Sequence, residues 1–303
     1  MKNKKILSII LTALLLISTV SIPVYAEDGP LISVIVNRIF TKVLAGTLIK
    51  LAADIVENTV DWTLPDEYAV EAFELKGVLM EYTYEKGSNP DKAILQLHGG
   101  AYILPFNDTY RRNAVHYSEV SGGAAVLSVD YRVAPKNPYP AALEDALAGY
   151  NWLLNKGYSP ENIIVVGDSA GGGLTIALAM YLRDNNLPMP KALILMAPWV
   201  NLDVNSLKNF SSQYVGDDNP RNPYISPLYG TFENLPPILL QVGDDDGLMN
   251  SNLDIAKRIG DSGQDITITV YKGVGHVFQL NYPATEQSIE SWDEIEVFIR
   301  KMF

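Results

Sequence analysis

Cysteine is absent from all 303 residues. Disulfides, thiol nucleophiles and cysteine-ligated metal sites are therefore excluded, and the fold must be stabilised by its core alone. Histidine is scarce, and the three copies, His98, His116 and His276, are too scattered to form a metal-ligand cluster. No phosphate-binding loop of the G-x-x-x-x-G-K type occurs. We therefore expect neither a metal nor an organic cofactor.

Positive charge is also in short supply. The formal net charge is −12, and loss of the three N-terminal lysines would lower it to −15. Such an acidic chain is repelled by nucleic acid and by anionic lipid. We expect a small-molecule substrate and no nucleic-acid partner.

The first 26 residues have the composition of a secretory signal peptide. Lys2, Lys4 and Lys5 precede an apolar run over residues 6–20, and Val24-Tyr25-Ala26 places small residues before the expected cleavage point. Cleavage would leave a domain of residues 27–303 outside the cytoplasm, with no stable membrane partner. The alternative is an uncleaved anchor helix, because the apolar run is nearly long enough to span a bilayer.

From Ala93 onward, short apolar runs alternate with helical patterns. This alternation predicts a mostly parallel sheet covered by helices on both faces. Strands are expected at 93–97, 124–129, 163–166, 192–196, 238–242 and 266–271, and helices near 108–121, 140–156, 171–184, 249–262 and 284–302.

Two segments do not fit this alternation. Residues 31–56 have helical spacing, a further helix is expected over 66–76, and 78–84 alternates like an exposed strand. Residues 198–237 form a long polar insertion. We expect residues 27–76 and 198–237 to form a cap over the carboxyl edge of the sheet.

The strongest chemical signal is Gly167-Asp168-Ser169-Ala170-Gly171, between a predicted strand and an apolar helix. This is the G-x-S-x-G pattern of a sharp turn that exposes a nucleophilic serine. Small residues at 167 and 171 let the neighbouring chains pass. Ala170 begins the helix, so its free N–H would point at the reaction centre.

A serine hydroxyl needs a base, and His276 is the one histidine that follows Ser169. It lies in a glycine-rich loop after the last predicted strand, which is consistent with the order serine, acid, histidine. The orienting acid should follow the strand at 238–242, where Asp244, Asp245 and Asp246 compete. Spacing alone leaves these three alternatives open.

A glycine-rich loop at residues 97–102 follows the strand at 93–97 and is suited to supply N–H donors for a tetrahedral oxyanion. We expect His98 to brace this loop as a structural residue. His116 is predicted to be an ordinary helix-surface residue.

Four segments resemble the bacterial hormone-sensitive-lipase-like esterases of the α/β-hydrolase fold. These are His98–Ala101, Asp130–Pro135 continuing into Tyr139–Asp145, Gly167–Gly172, and Asp246-Gly247-Leu248 with His276. The resemblance spans roughly residues 90–300.

The resemblance implies the α/β-hydrolase fold, a helical cap and a role for each site residue. Asp246 becomes the preferred acid, and Gly99, Gly100 and Ala170 are expected to form the oxyanion hole. Ala101 stands where the family has a third glycine, which narrows the pocket there. We also assign Tyr102 and Asp168 to substrate binding.

The expected reaction is hydrolysis of short- to medium-chain carboxylic esters through an acyl-enzyme on Ser169. Two alternatives remain open. Amidases and peptidases use the same machinery, and some proteins of this fold bind ligands without catalysis.

Overall fold

The computed structural model describes residues 62–203 and 208–303. Within these ranges the strands form one eight-stranded sheet in the order β1-β2-β4-β3-β5-β6-β7-β8. Strand β2 is antiparallel to both of its neighbours, and the remaining pairs are parallel. The strands are β1 Tyr68–Leu75, β2 Val78–Glu85, β3 Ala93–Leu97, β4 Ala125–Val129, β5 Ile163–Asp168, β6 Ala192–Met196, β7 Ile238–Gly243 and β8 Ile266–Tyr271.

Five of the described α-helices lie where the sequence predicts them, and a further short one lies in the insertion at 198–237. They are α1 Asp108–Val120, α2 Ala141–Lys156, α3 Ser169–Asp184, α4 Lys208–Val215, α5 Met249–Asp261 and α6 Glu286–Met302. Short 3₁₀ turns lie at Pro160–Asn162, Pro227–Tyr229 and Phe278–Asn281. The predicted α/β architecture is confirmed.

Helices cover both faces of the sheet. Strands β3 to β7 are buried along their whole length because their alternate side chains enter opposite cores. One core contains Ile94 and Val126 with Trp292 of α6, and the other contains Leu95 and Val165 with the apolar sides of α2, α3 and α5. The carboxyl ends of these rigid strands therefore form a fixed edge, and the loops that leave it carry the site.

The predicted helix over 66–76 is wrong, because Tyr68–Leu75 is strand β1. All eight residues of β1 pair with β2, and Lys76-Gly77 makes the tight turn with φ of 54° and 80°. Pairing with β2 thus outweighs the helical spacing of the segment. Strand β2 is mostly buried, which also corrects its predicted exposure.

The predicted cap can be followed only in part. Residues 68–75 belong to the sheet, so this stretch of the expected cap is corrected. The insertion at 198–237 contains α4 and the turn Pro227–Tyr229. The expected signal peptide and the helices expected over 31–56 lie outside the described residues. None of the described helices is long and apolar enough to cross a membrane.

Candidate active site

The turn from β5 into α3 places Ser169 at the carboxyl edge of the sheet. Ser169 has a φ of +51°, a left-handed backbone conformation that residues other than glycine rarely adopt. A Cβ at Gly167 would overlap the carbonyl oxygen of Gly171, and one at Gly171 would overlap that of Leu97. The two glycines are therefore sterically required, as the sequence pattern predicts.

His276 bridges Ser169 and Asp246 with its two ring nitrogens. Nε2 lies 2.8 Å from Ser169 Oγ, and Nδ1 lies 2.9 Å from Asp246 Oδ2. The carboxylate accepts a hydrogen bond from the Nδ1–H group, which leaves the Nε2 lone pair facing the serine hydroxyl. This tautomer is the one that can remove the hydroxyl proton.

The loop that carries His276 must fold back across the sheet, because β8 lies three strands from β5. It passes so close to the end of β7 that a Cβ at Gly243 would overlap the carbonyl oxygen of Val274. The missing side chain at Gly243 gives the histidine loop its path toward Ser169.

Of the three aspartates after β7, the structure brings Asp246 to the histidine. Asp246 is buried, and its Oδ1 accepts the backbone N–H of Leu248 at 2.8 Å. Asp244 and Asp245 are exposed, and Asp244 accepts the N–H of Gly273 at 2.7 Å. The carboxylate that is hydrogen-bonded to His276 is therefore that of Asp246, the residue that the family pattern favours.

The glycine-rich loop after β3 differs from the prediction in one donor. The N–H of Gly99 donates to Asp168 Oδ1 at 3.0 Å and to Tyr110 Oη at 2.9 Å. Gly99 is thus already engaged inside the protein and is wrong as an oxyanion donor.

Gly100 and Ala101 supply the free N–H groups of this loop. Both have positive φ, 113° and 56°, and no described residue accepts from either N–H. Ala170, in the first turn of α3, has no intrahelical acceptor for its N–H. The N–H groups left without an acceptor among the described residues at this edge are therefore those of Gly100, Ala101 and Ala170, and that of Ala170 lies at the positive end of the α3 dipole.

His98 braces the loop, as expected. Its ring is fully buried and stacks on Tyr131 at a centroid distance of 4.0 Å, and Nδ1 donates to the carbonyl of Gly99 at 2.7 Å. Burial lowers the pKa of His98 to about 4, so the ring is neutral. Tyr131 adds a hydrogen bond from Oη to the carbonyl of His98 at 2.6 Å.

His116 is largely covered by neighbouring side chains and is not the ordinary surface residue that was predicted. Its ring packs against Tyr282 and Trp292 at centroid distances of 4.2 and 4.3 Å, while Nδ1 lies 2.9 Å from a carboxylate oxygen of Glu119. The prediction failed because α6, which carries Trp292, closes over this side of α1. His116 makes no contact with Ser169, Asp246 or His276 and instead packs α1 against α6.

Asp168 and Tyr102 are enclosed by protein, which corrects their assignment to substrate binding. Asp168 is 3% exposed, and its carboxylate accepts from Gly99 and from Tyr110 Oη, the latter at 3.2 Å. Burial raises the pKa of Asp168 to about 6, although the bond from Tyr110 and the nearby His276 act in the opposite direction. The carboxylate therefore ties the glycine-rich loop to the serine turn.

Tyr102 is 1% exposed and connects the same loop to the insertion. Its ring stacks on Tyr214 of α4 with centroids 3.7 Å apart and planes 5° apart. Part of the insertion thus packs directly on the glycine-rich loop.

Sequence reasoning missed Tyr110 and Tyr214 as parts of this site, and it did not assign Ala101 as an N–H donor. A signal existed for Ala101, since it stands at the third position of the glycine signature. No local pattern marks Tyr110 or Tyr214, because each meets the loop through tertiary packing. Residues 62–203 and 208–303 contain no group of three or more acidic or histidine side chains placed to hold a metal ion.

The geometry agrees with what comparison with known proteins finds. A family model described as alpha/beta hydrolase fold matches residues 94–280. An acetyl-hydrolase of Streptomyces hygroscopicus is 32% identical over 229 residues, which cover 69% of this chain and 75% of that protein.

Two solved structures extend the similarity to nearly the whole chain. The crystal structure of an esterase from the bacterial hormone-sensitive lipase family has a TM-score of 0.77 at 29% identity and covers 98% of this chain and 97% of that one. EstE5, from a crystal soaked with p-nitrophenyl butyrate, has a TM-score of 0.77 at 27% identity and covers 97% and 98%. This chain therefore belongs to the α/β hydrolase fold family and, within it, to the bacterial hormone-sensitive-lipase-like esterases.

Proposed function

We propose that this chain hydrolyses short- to medium-chain carboxylic esters with Ser169 as nucleophile, His276 as general base and Asp246 as the orienting acid. One observation carries the proposal. His276 meets Ser169 Oγ and Asp246 Oδ2 through opposite ring nitrogens, at 2.8 and 2.9 Å. This arrangement activates a hydroxyl for attack on an acyl carbon.

The proposed reaction proceeds in two halves. Ser169 Oγ attacks the ester carbonyl while Nε2 of His276 takes its proton, and the carbonyl oxygen becomes an oxyanion. That oxyanion accepts from the N–H groups of Gly100, Ala101 and Ala170. As the ester C–O bond breaks, the imidazolium of His276 returns the proton to the departing alcohol, and an acyl-Ser169 ester remains.

Water completes the cycle by the same route. His276 takes a proton from the water as its oxygen attacks the acyl carbon, and it returns this proton to Ser169 Oγ as the acid leaves. Asp246 stabilises the imidazolium in both halves without itself taking the proton. The sequence of steps needs no redox partner.

The proposed acyl range rests on the insertion and on the relatives. Tyr214 of the insertion packs on the glycine-rich loop, which supports a covered pocket of limited length. One relative is named an acetyl-hydrolase, and the EstE5 crystal was soaked with p-nitrophenyl butyrate. Each methylene that fits adds about 0.8 kcal/mol of transfer free energy, and each that does not fit adds strain.

The test is hydrolysis of p-nitrophenyl esters from acetate to palmitate, each below its solubility limit. We expect kcat/KM to be highest at roughly two to eight acyl carbons, as the volume of covered pockets suggests. A maximum at palmitate, with activation by emulsified triglyceride, would instead identify a lipase with an open site. The p-nitroanilides of the same acids test amide cleavage, and Ser169→Ala is the control throughout.

We further propose that residues 1–26 are removed and that the protein acts outside the cytoplasm. The support is the order of Lys2, Lys4 and Lys5, an apolar run and Val24-Tyr25-Ala26. N-terminal sequencing of the exported protein should give Glu27 as the first residue. A protein that begins at Met1 and is extracted only by detergent would show an anchor instead.

A further inference from the structure

Asn252 is a buried polar residue of α5 that the proposed reaction does not use. Its side chain is fully buried, and Nδ2 donates to the carbonyl of Leu248 at 2.7 Å and to that of Pro198 at 3.1 Å. Because both facing atoms are carbonyl acceptors, they fix which end of the amide is nitrogen. Oδ1 is buried without a partner among the described residues, and an unpaired buried acceptor disfavours folding.

On one side, Asn252 is connected to the nucleophile. The residue after Pro198 is Trp199, whose N–H donates to the carbonyl of Ser169 at 2.7 Å. A Cβ at Gly172 would lie 2.9 Å from Pro198 Cβ, so this segment also packs tightly on the first turn of α3. The segment 198–199 is thus held to the serine turn by a hydrogen bond and by close packing.

On the other side, Asn252 is connected to the acid. The carbonyl of Leu248 accepts from Asn252, and the N–H of the same residue donates to Asp246 Oδ1 at 2.8 Å. A displacement of Leu248 would therefore move the carboxylate that orients His276.

We infer that Asn252 is a positioning residue that fixes the separation between Ser169 and Asp246. The contacts form a path from the nucleophile to the acid that runs through Trp199, Pro198 and Leu248 and does not include His276. This inference rests on the proposed function. His276 is partly exposed, and it must keep two hydrogen bonds while a proton moves, so it depends on a framework that holds both of its partners.

The first test replaces Asn252 with leucine, which has similar volume, lacks both donors and removes the orphan acceptor. We expect kcat per active site to fall by about tenfold or more, because small misplacements of reacting groups are costly, while KM stays within about twofold. Active sites are counted by titration with a fluorophosphonate. The unfolding temperature should not fall below that of Ile259→Val, a control at a fully buried apolar position of the same helix.

The second test uses Asn252→Asp, which makes the same contacts dependent on pH. As a carboxylate it faces two carbonyl oxygens and repels them, whereas its protonated form can donate one hydrogen bond. The ratio of its kcat to that of the wild type should therefore rise as the pH is lowered. A ratio independent of pH would overturn the role of these two contacts in positioning.

The outcomes separate this inference from the proposed function. Full kcat in Asn252→Leu, or a loss that Ile259→Val reproduces, would overturn the positioning role while Ser169-dependent turnover of the wild type stands. A wild type without Ser169-dependent turnover would overturn the proposed function, and the positioning role would fall with it.

Discussion

The carboxyl edge of the sheet and the turns remote from it both contain residues with positive φ, but the types of residue differ. Among described residues other than glycine, positive φ occurs at Lys76, Asn186 and Asn234 in turns away from the site. It also occurs in the loops and turns that follow β3, β5, β6 and β8, at Ala101, Tyr102, Ser169, Ala197 and Val277. Asparagine suits this conformation, whereas a β-branched valine is a genuine outlier.

The difference teaches where strain is tolerated. A strained residue in a remote turn takes no part in the chemistry. Its replacement by a residue that tolerates positive φ should therefore leave kcat unchanged. At the carboxyl edge, the strained residues include Ser169, the N–H donor Ala101 and Val277, which directly follows His276, so strain there can bear on the chemistry. The following variants test this contrast from the largest expected effect to the smallest.

Ser169→Ala should remove nearly all turnover and leave the fold intact. Alanine can occupy the same strained turn but has no nucleophile, so we expect a loss of about 10⁴-fold or more in kcat. The measurement is p-nitrophenyl acetate hydrolysis beside a thermal unfolding curve. A variant that keeps a tenth of the wild-type rate would exclude Ser169 as the nucleophile.

Asp246→Asn should cost about 10⁴-fold in kcat, because an amide favours the wrong tautomer of His276. Asp245→Asn is the matched control on the same loop, and as an exposed substitution it should change stability by no more than about 0.5 kcal/mol. Asp244→Asn should fall between them, since Asp244 accepts the N–H of Gly273 near the histidine loop. Larger damage from either neighbour would show that the acid is misassigned.

Much of the structure of the carboxyl edge can be predicted from the sequence, because steric requirements restrict which residues can form it. Gly167 and Gly171 are required because the serine turn has no room for a Cβ at either position. The G-x-S-x-G pattern therefore predicts the conformation of the turn. The apolar runs predict the strands because β3 to β7 are buried on both faces. The order of the strands in the sheet has no local signal in the sequence.

The errors lie where distant segments decide the outcome. In the sequence, Gly99 and Ala101 are equally plausible N–H donors to an oxyanion. The N–H of Gly99 instead donates to Asp168, which lies 69 residues away in the chain. The sequence predicts that His116 is exposed, but Trp292 of α6 packs on its ring. Residues 68–75 have helical spacing, yet β2 supplies a full set of strand partners.

Asp168→Asn should sharpen the contrast through pH. Burial raises the pKa of Asp168 from 3.8 to about 6, so the folded state disfavours the carboxylate. The wild type therefore loses stability from this group as the pH rises from about 4 to about 6, and the loss is complete above that window. An asparagine accepts the Gly99 N–H without ionising.

The measurement is the difference in unfolding temperature between Asp168→Asn and the wild type. It should become more favourable to the variant between pH 4 and pH 6 and stay constant above about pH 6, the folded-state pKa of Asp168. A difference that is constant across the whole range would show that Asp168 has an ordinary pKa.

The smallest effects compare strain relief at the two kinds of position. Lys76→Asn should raise the free energy of unfolding by about 1 kcal/mol, because a left-handed residue costs roughly 1–2 kcal/mol, and should leave kcat unchanged. Val277→Gly relieves similar strain, but it also removes a side chain buried in the core and frees the backbone beside His276. We therefore expect the unfolding temperature to fall and kcat to fall by about tenfold. Unchanged kcat in both variants would show that strain at the site has no catalytic role.

The sequence distance between the reacting residues has a consequence for timing during synthesis. Ser169 and His276 are 107 residues apart, and the histidine loop is held by the last helix, where Trp292 Nε1 donates to the carbonyl of Gln279 at 3.2 Å. A chain still emerging from the ribosome has its serine and its N–H donors long before it has a supported base. A histidine loop in its final position would therefore require that the chain has been synthesised and folded at least as far as Trp292.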